Sequence, residues 1–202
     1  SSFGGAPAAQ EQPADQGADE AKGDGANGGS SDASDAGKDA GSGDGAASKA
    51  DAQAAPLADL KLVDQNGEEH SLDEYRGKTV FLNFWATWCG PCQREIPDIE
   101  KLYRDRGENE GDLVVLGVAN PKTDSRPNNS DVSEADVKAF IDERGIAYPV
   151  LMDTTGEMFS GYRIRSFPTT FMIDKDGNIF GYISGMLTPD MMDSIVEQTM
   201  SG

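Results

Sequence analysis

The stretch Thr79 to Tyr103, TVFLNFWATWCGPCQREIPDIEKLY, decides the fold. An unbroken apolar run over 79–86 is followed by Cys89-Gly90-Pro91-Cys92, then by Ile96, Ile99, Leu102 and Tyr103 at helical spacing. Buried strand, redox turn and helix is the reading. With Cys89 at the helix N-cap, Cys92 falls one turn later on the same face, close enough for the two sulfurs to close a small disulfide ring. Unpaired N–H groups and the positive end of the helix dipole favour a thiolate on Cys89. Cys89 is therefore the expected attacking sulfur, and Cys92, shielded inside the first turn, the expected resolving one. Pro91 suits a first-turn position because no hydrogen-bonded N–H is needed there, and Gly90 lets a partner backbone approach closely.

N-terminal to this core the composition shifts abruptly near Pro56. Residues 1–56 are almost entirely Ala, Gly, Ser, Asp, Glu, Gln and Pro, with Phe3 the only large apolar side chain. Such a segment buries too little apolar surface to offset the entropy of ordering it, so a disordered linker over 1–56 and a single domain over 57–202 are expected. As a flexible coil the linker spans on the order of 40 Å, a useful tether length. Its 3 basic and 10 acidic side chains, with 14 and 26 in the remainder, make up the net charge of −19. That balance argues against nucleic acid and anionic lipid head groups as partners. No apolar run approaches the roughly 18 to 20 residues that span a bilayer.

Within the domain, Leu60, Leu62 and Gln65-Asn66-Gly67-Glu68 predict a hairpin, and Ser71-Leu72-Asp73-Glu74 a helical turn ending at Gly77. The helix after the cysteines runs to about Arg106, and Pro97 inside it predicts a kink near Ile96. Leu113 to Ala119 is a second buried strand, giving a parallel crossover that sets the redox turn at a strand's carboxyl end. A polar loop over 120–131, functional or mobile by its length, leads to a helix from Ser133 to Gly145 and a strand over 148–152. A short helix over 158–162, a hairpin around Asp174-Lys175-Asp176-Gly177, and a last helix from Thr188 complete the chain. Met191, Met192, Ile195, Val196 and Met200 are expected on its sheet-covering face.

Trp88-Cys89-Gly90-Pro91-Cys92, the preceding Phe84-Trp85-Ala86, and Phe167-Pro168-Thr169 resemble the thioredoxin superfamily over about residues 57–200. Asn83 to Trp88 and Glu95-Ile96-Pro97 resemble its exported, membrane-tethered TlpA/ResA-like branch, which includes the cytochrome c maturation thiol reductases. The resemblance implies an α/β fold with a central mixed sheet flanked by helices and an inserted helix–strand unit, matched by residues 133–152. It also implies a cis bond before Pro168, with Trp88, Gly90, Pro91, Phe167 and Pro168 contacting substrate and the backbone of Phe167 pairing with a bound strand. One position departs from cytoplasmic thioredoxins. Six residues before the first cysteine they carry a buried acid, and Asn83, which stands there, cannot accept the proton of Cys92. Glu95, three residues beyond Cys92 on the same helical face, is the candidate replacement.

Metal chemistry fits poorly. His70 is the only histidine, so a Cys₂His₂ site is impossible, and methionine as core gap filler accounts for most of the seven methionines. The expectation is no metal and no cofactor beyond the Cys89–Cys92 disulfide. The expected activity is reduction of client disulfides by a monomeric extracytoplasmic protein tethered through its linker and recharged by a membrane thiol electron donor. The segment from Leu116 through the polar loop to Pro168 resembles surface thioredoxin-like lipoproteins that reduce methionine sulfoxide reductases, so the resemblance implies such a reductase as one candidate client and apocytochrome c as the second. An oxidant that forms disulfides in exported proteins, a non-catalytic binding module and a purely structural disulfide are the alternatives.

Overall fold

The computed structural model describes residues 52–202, and the predicted disordered linker lies almost entirely outside that range. β3 (Thr79–Phe84) and β4 (Leu113–Ala119) are buried at every position, as expected of strands covered on both faces. They form the centre of a five-stranded sheet of order β5-β4-β3-β6-β7, completed by β5 (Val150–Met152), β6 (Thr169–Ile173) and β7 (Ile179–Ser184). β3, β4 and β5 run parallel, whereas β6 lies antiparallel to both β3 and β7. The sheet is mixed.

Side chains alternate across it with the two-residue period of extended chain. Phe81, Val115 and Met172 enter one core, which α1 (Gly90–Asp105), α2 (Glu134–Glu143) and α4 (Pro189–Ser201) cover. Leu82, Leu116 and Phe171 enter the other, closed by α3 (Glu157–Gly161) and the N-terminal elements. Those elements are β1 (Leu62–Val63), β2 (Glu69–His70) and a 3₁₀ turn over Leu72–Tyr75. Gly67, at φ 87°, makes the turn between β1 and β2 with the backbone conformation that glycine adopts at least cost.

Side-chain hydrogen bonds lock that hairpin to the sheet. Gln65 donates Nε2–H to the Tyr148 carbonyl (2.9 Å) and accepts from the Val150 N–H (2.8 Å), so its amide covers the free edge of β5. His70 sits buried between Tyr75 and Asp64, one ring nitrogen 2.5 Å from the Tyr75 hydroxyl and the other 2.8 Å from Asp64. Asp64, Glu68 and His70 are the one cluster among the described residues with metal-ligand spacing. Both histidine nitrogens and both Asp64 oxygens already have protein partners there.

Several element ends differ from the sequence expectation. β3 stops at Phe84, and Trp85 and Ala86 stay buried outside the ladder. Ordered contacts begin before Leu57: Ala54 bridges Asn178, and Ile179 donates to the Gln53 carbonyl (2.8 Å), because the open edge of β7 offers those partners. In α4 the buried stripe is Met192, Val196 and Thr199. Met191 is 41% exposed, because it falls one residue out of the period that Met192 and Val196 set.

Gly117 marks the tightest approach in the central sheet. A Cβ there would sit 3.2 Å from both Trp85 Nε1 and Tyr148 Cε2 and 3.3 Å from Val150, so the neighbours would have to give way. Gly117→Ala is expected to destabilise the protein by about 1 to 3 kcal/mol, read as a lower urea midpoint at unchanged slope. An unchanged midpoint would contradict this account of the packing.

Candidate active site

β3 delivers the chain to the centre of the molecule, and a short turn converts it to α1. Trp85 N–H reaches the Val118 carbonyl (3.2 Å), one step past the end of the strand, and Cys89 N–H bonds back to Ala86 (3.2 Å). Cys89 then takes the N-cap position with extended backbone (φ −82°, ψ 110°), and its sulfur accepts the Cys92 N–H at 3.2 Å. The two cysteines form a disulfide with their Cα atoms 5.2 Å apart. Pro91 occupies the first turn, where its missing N–H has no partner to lose.

Both sulfur-bearing residues are nearly covered, Cys89 at 5% exposure and Cys92 at 2%. Around them Trp88, at 60% exposure, Gly90 and Pro91 are open to solvent. A Cβ on Gly90 would meet only the Arg94 guanidinium, at 3.6 Å. Nothing in the fold itself demands a glycine there.

Phe167 and Pro168 are brought to the same rim. The Phe167 ring meets the Trp88 ring edge-on at 5.6 Å, and the Phe167–Pro168 bond is cis, as expected from the paired motif. Pro168 is buried and its carbonyl accepts the Gly185 N–H (2.8 Å). Phe167 N–H and C=O have no hydrogen-bond partner among the described residues.

Glu95 lies behind the disulfide. The buried face of α1 reads Cys92, Glu95, Ile96, Ile99 and Leu102, so a glutamate occupies a core position directly below the inner cysteine. It is 1% exposed. One carboxylate oxygen accepts from Asn83 Nδ2 (2.9 Å) and the other from the Leu187 N–H (2.6 Å). Burial pushes the carboxyl up to about 7, against these two hydrogen bonds, which favour the ionised form; nearby Asp98 adds a smaller push in the same direction as burial. The residue at the expected acid's place, Asn83, thus serves as donor to the acid that replaces it.

Sequence reasoning missed the anchor of the redox turn. Asp131, at 1% exposure, accepts from the Thr87 N–H (2.9 Å), the Thr87 hydroxyl (2.5 Å) and the Val132 N–H (2.8 Å). Next to it Trp88 Nε1–H donates to the Ser130 carbonyl (2.7 Å). The polar loop is itself pinned, with Asn120 and Asn129 donating to backbone carbonyls of Pro121, Asp153 and Thr154 at 2.8 to 2.9 Å. Nothing in the sequence separates Asp131 from Asp124 in the same loop; only the fold places one of them under Thr87.

A model of the AhpC/TSA family matches residues 52–181. The thiol-disulfide oxidoreductase ResA of Geobacillus kaustophilus is 34% identical over 72% of this chain and 77% of its own length. The thioredoxin-like protein YneN of Bacillus subtilis is 36% identical over 71% of this chain and 76% of its own. Among solved structures, the exposed lipoprotein thioredoxin Etrx1 of Streptococcus pneumoniae superposes with a TM-score of 0.62 at 31% identity, covering 69% of this chain and 98% of that one.

The Glu95 carboxyl makes stability depend on pH in a stated direction. Its folded-state pKa of about 7 lies above the ordinary 4.5, so the folded form holds the proton more tightly. The stabilisation is full below pH 4.5 and is lost as pH rises through 7. With the disulfide intact, this term should weaken the protein by up to about 3 kcal/mol between pH 5 and pH 8. Glu95→Gln keeps an acceptor for Leu187 and cannot ionise, so its stability relative to the parent should rise over that interval in urea titrations. A pH-independent difference would contradict the assignment.

Proposed function

The chain belongs to the AhpC/TSA family and is a thiol-disulfide oxidoreductase of the ResA type, and from that premise we propose that it reduces client-protein disulfides outside the cytoplasmic membrane. The observation that carries the reading is the pairing of a helix-capping disulfide with a buried carboxyl one turn behind it.

In the dithiol form Cys89 is the nucleophile. Its thiolate attacks one sulfur of the client disulfide, the client S–S bond breaks, and the second client sulfur leaves as a thiolate and takes a proton. Client and protein are then joined through Cys89. Glu95, about half ionised near neutral pH and more fully above it, accepts the proton of Cys92. The Cys92 thiolate attacks Cys89 Sγ, the Cys89–Cys92 bond forms, and the remaining client sulfur departs as a thiol after protonation. Two electrons have passed to the client, and the protein is left in the disulfide form described above. A thiol donor at the membrane reverses the last bond and restores the dithiol.

The direction of flow has an electrostatic basis. Strong oxidants of this fold owe their potential to a stabilised reduced form. A buried carboxylate beside Cys92 opposes a second negative charge on that sulfur, which limits the stabilisation of the reduced form to the helix-capping thiolate of Cys89. Trp88, Gly90, Pro91, Phe167 and Pro168 form the client-facing rim, where the free backbone groups of Phe167 take one strand of the client by main-chain pairing. The clients proposed are a methionine sulfoxide reductase or apocytochrome c, reached by a monomer tethered through residues 1–56, with no cofactor beyond the cysteine pair. Among the described residues no helix is long and apolar enough to cross a membrane.

Replacing each cysteine separates the roles. Cys92→Ser should accumulate a covalent complex with oxidised client through Cys89, and Cys89→Ser should trap none. Both should lose insulin reduction with dithiothreitol by about 100-fold or more. A parent protein silent in the insulin assay, or equal trapping by both variants, would contradict the proposal.

A further inference from the structure

Beside the client-facing rim lies a groove of about 800 Å³ that the exchange reaction itself does not use. Its walls come from the connection between α3 and β6, with Tyr162, Arg163, Arg165 and Ser166, and from Phe171 and Tyr182 on β6 and β7. Ser166 and Thr169, the residues on either side of Phe167 and Pro168, also line the groove, so it adjoins the segment that carries Phe167. Phe171 and Tyr182 stack at 5.2 Å, and Tyr182 is 65% exposed, which leaves an aromatic surface facing solvent.

Three observations fix the chemistry of an occupant. First, residues 57–202 carry 26 acidic and 14 basic side chains, yet Arg163 and Arg165 are both exposed and pair with no carboxylate among the described residues. Second, Arg163 holds a left-handed backbone at φ 54°, where glycine or asparagine is favoured and an arginine is costly. A long cationic side chain kept at such a position points to a use for the side chain. Third, Tyr162 lines the groove at 5% exposure and its buried hydroxyl has no hydrogen-bond partner among the described residues.

We propose that this groove binds an acidic, extended segment of the client polypeptide next to the client's reactive cysteine, with Arg163 and Arg165 pairing its carboxylates. The proposal rests on the client-reduction reading above and adds sequence selectivity to it. Arg165 and Arg163 stand two and four residues before Phe167, at most about 7 and 14 Å away along the chain. The client's acidic residues therefore fall two to four positions from the residue that pairs with Phe167. Guanidinium groups suit the task because each can hold a carboxylate through two parallel N–H donors. The overall negative field of the domain works against acidic ligands, so a preference for them has to come from a local site.

The test uses the reduced full chain and synthetic peptides whose single cysteine is a mixed disulfide with thionitrobenzoate. Cys89 attacks the peptide sulfur and releases the chromophore, which gives a second-order rate by absorbance. Glu, Gln or Lys is placed in turn at each of the five positions on either side of the cysteine, which covers the span two to four positions from a pairing residue next to it. At low salt the Glu peptides within that span should react about tenfold faster than the Gln peptides, with Lys slower than both, and the advantage should shrink at high ionic strength. The double variant Arg163→Gln, Arg165→Gln, altered only at exposed positions, should bring the Glu rate down to the Gln rate and leave the Gln rate within twofold. Equal Glu and Gln rates in the parent, or a Glu advantage that survives in the double variant, would overturn the groove assignment while client reduction stands. Failure to release chromophore from any peptide would overturn client reduction and the groove with it.

Discussion

A carboxyl group with no cation beside it among the described residues sits in the core of this protein, and the active end of the molecule is arranged around it. Glu95 is buried on the sheet-facing side of α1, and its two oxygens are held by β3 through Asn83 and by the turn before α4 through Leu187. Asn83 Nδ2 also reaches the Thr170 hydroxyl on β6 at 3.0 Å, so one side-chain network joins α1, two strands and the approach to the last helix. Burying an ionised carboxylate unpaired would cost several kcal/mol. Raising the pKa to about 7 avoids most of that cost at neutral pH and leaves a group that gains and loses a proton where the thiols do their work. A glutamate that were merely structural would be better replaced by glutamine.

The redox turn is rigid for a related reason. Cys89 must cap α1 to keep its sulfur at the positive end of the helix, and the preceding residues have no regular partner once β3 has ended. Asp131 supplies that partner to Thr87 through two hydrogen bonds and takes a third from the Val132 N–H, while Ser130 takes the Trp88 indole. The long polar loop after β4 is thus a bracket for the catalytic turn. Its cost in ordering entropy is offset by bonds to the backbone at Asn120 and Asn129.

Much of this was legible in the chain. Strands with uninterrupted apolar runs, the Asn66-Gly67 and Asp176-Gly177 turns, and the cysteine pair between strand and helix each carry their own local signal, and the sheet followed from them. Glu95 was legible too, because its spacing from Cys92 puts it on the buried stripe whatever the rest of the fold does. What stayed hidden depends on contacts far apart in sequence. Asp131 is 44 residues from Thr87, Gln65 covers a strand edge 85 residues away, and Gln53 and Ala54 find partners only because β7 ends the sheet. Arg163 and Arg165 look like ordinary surface cations until the fold lines them along a groove, and Met191 shows that a helical stripe is narrower than a count of apolar residues implies.

The account depends most directly on where Glu95 ionises. Its carboxyl carbon chemical shift, followed by NMR from about pH 4 to pH 9 in the disulfide form, reports that proton without reference to stability or turnover. A midpoint near 7, shifting when Cys92 is replaced by serine, is the predicted result. A midpoint in the ordinary glutamate range, about 4.5, and indifferent to Cys92 would contradict it.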